Sequence, residues 1–281
     1  MRIAVLGDVR KIKGKNLVKS LVQFSIEENI SYLILAGGIS NDFNKTFKIL
    51  KELGDSLKPY GKHLRFITGN TDYYRRNGND IKEDSFHNKN KKYETDILSD
   101  YYLENNPVVF SVDNRIVKFI GNSLWYDYSM YKGKTVSAKK ITGKRKLWYL
   151  NRDILYLTSK EDYMLGLENT FDRKLMSRRL RNLALDVKSD RERFGERVQH
   201  ILVTYFKPVD YFSGRGYIKG YKAAFEGSNK TFSKCKECGI SEVVFGMCSD
   251  KKFAEIDGIK IRSSGFCKNI KNSAVIYEFE V

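Results

Sequence analysis

The chain has 281 residues, 41% of them apolar and 13% aromatic, enough to bury a sizeable core, and it has no apolar run long enough to span a bilayer. Its 51 Lys and Arg against 34 Asp and Glu give a net charge of +17, which attracts nucleic acid or another polyanion but also suits a Lys-rich solvated surface. With only three prolines and no Pro-rich or Gly/Ser-rich linker, residues 1–281 read as one domain with insertions. The N-terminal apolar run is too short for a signal peptide, so a cytoplasmic protein is expected.

In chain order, "RIAVLGDV" predicts a strand and "NLVKSLVQFSIEEN" an amphipathic helix. "SYLILAGGIS" predicts a second strand, a helix follows through "NKTFKILKELGDSLKPYG", and "HLRFITGNTDYY" predicts a third strand ending in a polar turn. This β-α-β-α-β succession requires a parallel sheet with crossover helices. Each strand ends in Gly beside a polar residue or a second Gly, namely Gly7-Asp8, Gly37-Gly38 and Gly69-Asn70. Glycine there permits tight turns and close backbone approach to a ligand. "VVFSVDNRIVKFIGNSLWYDYS" then alternates and turns at Asp113-Asn114, which predicts a hairpin.

From about Tyr131 to Arg197 the chain becomes basic and mostly helical. Met176, Leu180, Leu183 and Val187 recur at helical spacing and predict one buried face. Trp148, Tyr149 and Tyr156 lie among the basic residues, so this insertion, 131–197, is either a solvated helical surface or a candidate contact for a polyanion. Strands return at "HILVTYFKP" and "EVVFGMCSD", with a helix through "YKAAFEGSNKTFSKCKECG" between them. A hairpin turning at Asp257-Gly258 and a closing strand "SAVIYEFEV" complete the chain. Cys235 and Cys238 form a CxxC that, with Cys248 and Cys267, could make a zinc site, but the spacing lacks a compact second pair and favours free thiols. His63, His87 and His200, the only histidines, read as surface or partly buried residues rather than ligands.

Five strand-end motifs in order, "GDVR", "AGGISND", "GNTD", "VTYFKP" and "FGMCSD", resemble those of the calcineurin-like metallophosphoesterases, and "LWYDYS" resembles a bacterial branch with a helical insertion after it. The resemblance implies a four-layer αββα sandwich with a helical insertion. It also implies a site where two metal ions clamp a phosphate and activate water. In that family the motifs read Asp-x-His, Gly-Asp, Gly-Asn-His-Asp, Thr-His and Gly-His-x-His.

Carried over, the ligand positions are Asp8, Arg10, Gly38, Asn70, Tyr205, Met247 and Ser249. Only Asp8 and Asn70 match. Arg10 replaces a His, Gly38 the bridging carboxylate, Tyr205 a His, and Met247 and Ser249 both histidines of the last motif. Thr71 replaces the His that would protonate the leaving group, while Asp72, which would orient it, remains. Five lost ligands at tenfold each would cost about 10⁵ in affinity, roughly 7 kcal/mol. The expectation is therefore a degenerate member: a pseudoenzyme without a resident metal, acting as a binding or scaffolding module for a phosphate-bearing polyanion such as nucleic acid.

Within that reading, Arg10, Lys207 and the N–H groups of the Gly-rich turns are the candidate anion ligands. A direct Asp8–Arg10 pair would let the guanidinium supply the charge that the metals normally supply. The alternatives are a weak phosphoesterase using one divalent ion (Mn, Fe or Zn), or metal-free chemistry on Asp72 and Tyr205, and a protein-interaction subunit with a protein partner. Asp42 and Asp250, the nearest other carboxylates, read as a helix cap and a turn residue.

Overall fold

The structure, a computed structural model, describes residues 1–12, 16–73, 92–95, 98–127, 129–130, 168–213, 226–248, 250–265 and 269–280. The expectations for His87, Trp148, Tyr149, Tyr156, Ser249 and Cys267 lie outside the described residues.

The predicted β-α-β-α-β unit is present as β1 (Arg2–Leu6), α1 (Leu17–Glu27), β2 (Tyr32–Ala36), α2 (Phe43–Leu57) and β3 (His63–Ile67). The apolar strand cores are buried on both faces, as a parallel sheet covered by helices requires. Each helix starts on a side-chain cap. Asn16 accepts from the Lys19 N–H at 2.9 Å and Asp42 from the Lys45 N–H at 2.8 Å, each satisfying a donor the helix leaves open. Asp42 is therefore the cap its sequence context predicts.

The later strands are β4 (Val108–Val112), β5 (Arg115–Gly121), β6 (Val198–Thr204), β7 (Glu242–Phe245), β8 (Lys251–Ile256), β9 (Ile259–Ser264) and β10 (Val275–Glu278). Between them lie α3 (Glu168–Phe194), α4 (Asn229–Glu237) and the short α5 (Ile270–Ser273). Both predicted hairpins turn where expected, with positive φ at Asp113 and Asn114 and at Asp257 and Gly258. Two successive left-handed residues match the twist of the flanking strands.

These strands form two sheets, a four-stranded one in the order β10-β1-β2-β3 and a six-stranded one in the order β4-β5-β6-β7-β9-β8. The hairpin β4–β5 joins the second sheet, and the last strand, β10, returns to pair antiparallel with β1. The sheets meet face to face, with the Phe119 and Tyr277 rings 5.1 Å apart and Phe110 and Phe279 4.7 Å apart. Helices α1 and α2 cover the first sheet and α3 and α4 the second, giving the αββα layering.

Helix α3 docks through the predicted face: Met176, Leu180, Leu183 and Val187 are all buried. Buried polar groups accompany them. Arg179 lies 3.4 Å from Glu104, and Asp190 receives Lys118 Nζ at 2.6 and 2.7 Å and the His200 ring at 2.8 Å. The "LWYDYS" segment presses on the same helix, with the Trp125 N–H on Met176 Sδ at 3.3 Å. His200 departs from expectation, being fully buried within β6. Cys235, Cys238 and Cys248 are buried free thiols, and burial pushes Cys235 and Cys238 upward, which keeps them protonated.

Burial holds the His200 pKa below its usual value near 6.5. The contribution of His200 to stability is therefore complete above about pH 6.5 and is lost as pH falls through the depressed value. Chemical denaturation between about pH 7 and 5 should show stability declining toward acid, and His200→Gln should flatten that slope. Equal slopes for both proteins would refute this account.

Candidate functional site

The strand ends are brought together by backbone crowding. A Cβ on Gly7 would lie 2.2 Å from Gly246 Cα, so the end of β1 touches the chain just after β7 and no larger residue fits. The Gly7 N–H donates to Ser264 Oγ at 2.8 Å and the Gly246 N–H to the Thr204 carbonyl at 3.0 Å. All the described motif loops thereby converge at the C-terminal ends of their strands, where ligands bind on open α/β sheets.

Asp8 stands just after β1 in a left-handed conformation (φ 52°) and is buried. Its N–H donates to the Gly37 carbonyl at 3.0 Å, and the Arg10 N–H to the Gly38 carbonyl at 3.2 Å, fixing the β1 loop on the β2 loop. The short 3-10 turn Val9–Lys11 folds Arg10 back over its own strand end. Its Nε lies 2.9 Å from Asp8 Oδ1, and its Nη1 donates to Asn41 Oδ1 at 2.6 Å. The direct pair considered from sequence is thus formed. Burial pushes Asp8 upward against the pull of Arg10 and Lys11. Burial alone would weaken the hold of Arg10 on its proton, yet Tyr205, Asp8 and Asp72 raise it further, so the guanidinium stays charged.

Tyr205 follows β6. Its ring fills the space over both glycine turns: a Cβ on Gly37 would lie 2.6 Å from its Cδ2 and one on Gly69 2.6 Å from its Cδ1. The phenol is fully buried and donates to Asp8 Oδ1 at 3.3 Å. Burial and the nearby Asp8 carboxylate push its pKa well upward, so it serves as a neutral donor. Gly38 (φ 67°) has no room for a side chain, because its Cβ would lie 2.2 Å from Asp8 Oδ1.

Asp72, in the turn Asn70–Tyr73 after β3, is fully buried and ties two loops together. Its Oδ1 accepts from the N–H groups of Ile39 at 2.8 Å and Ser40 at 3.0 Å and from Thr46 Oγ1 at 3.2 Å. Its Oδ2 accepts from the Gly38 and Gly69 N–H groups, both at 2.9 Å. Asn70 and Thr71 are buried beside it. Met247 is half-buried after β7, its N–H on the Tyr205 carbonyl at 2.8 Å. Lys207 is buried with its Nζ 2.5 Å from Glu226 Oε2. Asp250 is exposed in the turn before β8, its carbonyl accepting from Ser263 Oγ at 2.7 Å.

The structure thus brings Asp8, Arg10, Gly38, Asp72 and Tyr205 into one contact set, and places Lys207 on a separate acidic partner. The Gly-rich N–H groups and the two cations named as anion ligands already have partners within the fold. The donors of Gly7, Gly38, Gly69 and Gly246 are already spent on Ser264, Asp72 and Thr204, and Arg10 and Lys207 each carry a carboxylate. Sequence reasoning missed Asn41, Thr46, Ser264 and Glu226. Asn41 lies in the motif "GGISND" itself, but its neighbour Asp42 was the more evident candidate.

A pair of divalent cations needs several carboxylate or imidazole donors. Among the described residues no group of three or more His, Cys, Asp or Glu side chains is gathered for such an ion. Arg10 instead brings a fixed positive charge onto Asp8, and the Tyr205 ring and the Asp8 carboxylate fill the space around the Gly37–Gly38 turn. These residues do not fit a metal pair.

The fold is that of the metallophosphoesterases. Among solved structures the chain is similar to a phosphopantetheinyl hydrolase from Mycobacterium tuberculosis, with a TM-score of 0.68 at 13% identity, covering 98% of this chain and 95% of that one. It is also similar to the anchor in the inner membrane complex of Plasmodium, with a TM-score of 0.49 at 14% identity over 94% of this chain and 71% of that one. For a dimetal phosphatase from Danio rerio the TM-score is 0.49 at 11% identity over 94% and 86%. No protein-family model and no curated protein sequence matches the chain.

Asp72→Asn would remove the charge and set an amide N–H₂ against backbone donors. A loss of about 2–4 kcal/mol is expected in urea unfolding; a change below about 0.5 kcal/mol would remove Asp72 from this role. Gly38→Asp, which introduces a carboxylate at the end of β2, should destabilise by about 1–3 kcal/mol through the clash with Asp8, and titration calorimetry with Mn should show no gain in affinity.

Proposed function

We propose that the protein is a non-hydrolytic member of the metallophosphoesterase fold that works as a binding or scaffolding module for a phosphate-bearing polyanion. The observation that carries this reading is the Arg10 guanidinium 2.9 Å from Asp8, inside the ring of strand ends where this fold places its metals. A guanidinium cannot lose its proton and repels a divalent cation, so the carboxylate that would ligate metal is neutralised from within the chain. Tyr205 and Asp72 support it: the phenol adds a neutral donor to the same carboxylate, and Asp72 is committed to backbone N–H groups rather than to orienting an acid. In this reading no resident metal is needed. The binding function lies on the basic exterior, with its net charge of +17, rather than in the closed site.

The M. tuberculosis neighbour is named as a hydrolase, and phosphoester hydrolysis is the activity the fold would otherwise suggest. The decisive measurement is metal content of the purified chain by elemental analysis, before and after excess Mn, beside turnover of an aryl phosphate mono- and diester. Substoichiometric metal and turnover at the buffer rate are expected. Two tightly held ions per chain, or metal-dependent turnover, would overturn the reading.

A further inference from the structure

On α3, the residues opposite the buried seam form a cationic stripe. Lys174, Arg178, Arg181, Leu185 and Lys188 recur at intervals of four, three, four and three residues, so all five share one line along the helix. All are exposed. Met176, Arg179, Leu180, Leu183, Val187 and Asp190 face the other way, into the protein. Lys174, Arg178 and Arg181 have no carboxylate partner among the described residues, and Lys188 has only Glu192 at 3.8 Å, at the C-terminal end of the stripe. The one other acidic residue between Lys174 and Lys188, Asp186, lies on the flank facing Lys118 and Asp190. By contrast Lys118, Arg179, Lys207 and Arg262 all carry carboxylates, so acidic partners are supplied where the fold needs them and withheld here.

We infer that this outward face of α3 is a docking surface for the phosphate backbone of a nucleic acid, bound without regard to base sequence. The stripe is straight and about 21 Å long, the length of about six phosphates along one strand of a duplex. The stripe carries no aromatic ring to stack on bases and no amide or carboxylate to read their edges, only four cations and Leu185, 58% exposed, a composition that suits contact with phosphate oxygens along the backbone. A membrane surface fits less well. A helix lying in a bilayer interface needs a broad apolar face, and that face of α3 is spent on the second sheet. The helix is held by its Arg179 and Asp190 contacts, so the backbone positions of the four cations are fixed in register and only their side chains are ordered on binding.

This inference rests on the reading of the protein as a polyanion binder and specifies where and what it binds. The test is fluorescence anisotropy of the full chain with two labelled duplexes of unrelated sequence, about 20 base pairs each, over about 50–200 mM salt. Both duplexes should bind alike. Replacing all four cations (K174Q, R178Q, R181Q, K188Q) should reduce the slope of log K against log salt by about 3–4 units and weaken binding at low salt by about 10²-fold. A control variant loses a similar charge from α2, by K45Q, K48Q and K51Q. These exposed side chains leave the core untouched, and equal thermal midpoints confirm folding.

Loss in the α3 variant but not in the α2 control supports the inference. Equal loss in both, no binding at low salt, or binding to phosphatidylserine vesicles but not to the duplexes overturns it. These readouts are blind to metal and turnover, so they separate failure of this surface from failure of the non-hydrolytic reading.

Discussion

The site is organised around one buried carboxylate that must be neutralised. Asp8 is held 1% exposed where four strand ends and two sheets meet, and a lone carboxylate there would cost several kcal/mol. Arg10 supplies the opposite charge from two residues away, and Tyr205 supplies a hydrogen bond from the opposite sheet. Once this pair is in place, the surrounding geometry follows. Asp8 leans over Gly38, the Tyr205 ring lies on Gly37 and Gly69, and there is no space for side chains on those glycines. The site is closed by packing.

Asp72 is a buried carboxylate used for structure. Its five accepted hydrogen bonds join the loop after β2 to the loop after β3, so its removal would leave backbone donors buried and unpaired. That requirement gives Asp72 a structural role that is independent of any chemistry at Thr71. The glycines are required for a related reason, since Gly7 and Gly246 approach each other more closely than any Cβ allows.

The polar anchors of α3 link this frame to the exterior. Arg179 and Asp190 enter the interior from the same helix whose opposite face carries Lys174, Arg178, Arg181 and Lys188. Burying charged groups is costly, and each is matched, by Glu104 in one case and by Lys118 and His200 in the other. The helix is therefore fixed in rotation, and its outward face is as well defined as its inward one.

Much of this was legible from the chain. Strand order along the sequence, the hairpin turns at Asp113-Asn114 and Asp257-Gly258, the α3 seam and the Asp42 cap all follow from local periodicity, capping chemistry and the φ preferences of turn residues. So does the absence of a carboxylate or imidazole at Arg10, Gly38, Tyr205 and Met247, which is a matter of residue chemistry alone. What the tertiary structure decided was partnership. Division of the strands into two sheets, the return of β10 to β1, the burial of His200 and the consumption of the glycine N–H groups by Asp72 and Ser264 all join residues far apart in the chain. Local preferences say which groups can donate or accept, but only the folded arrangement fixes which of them meet.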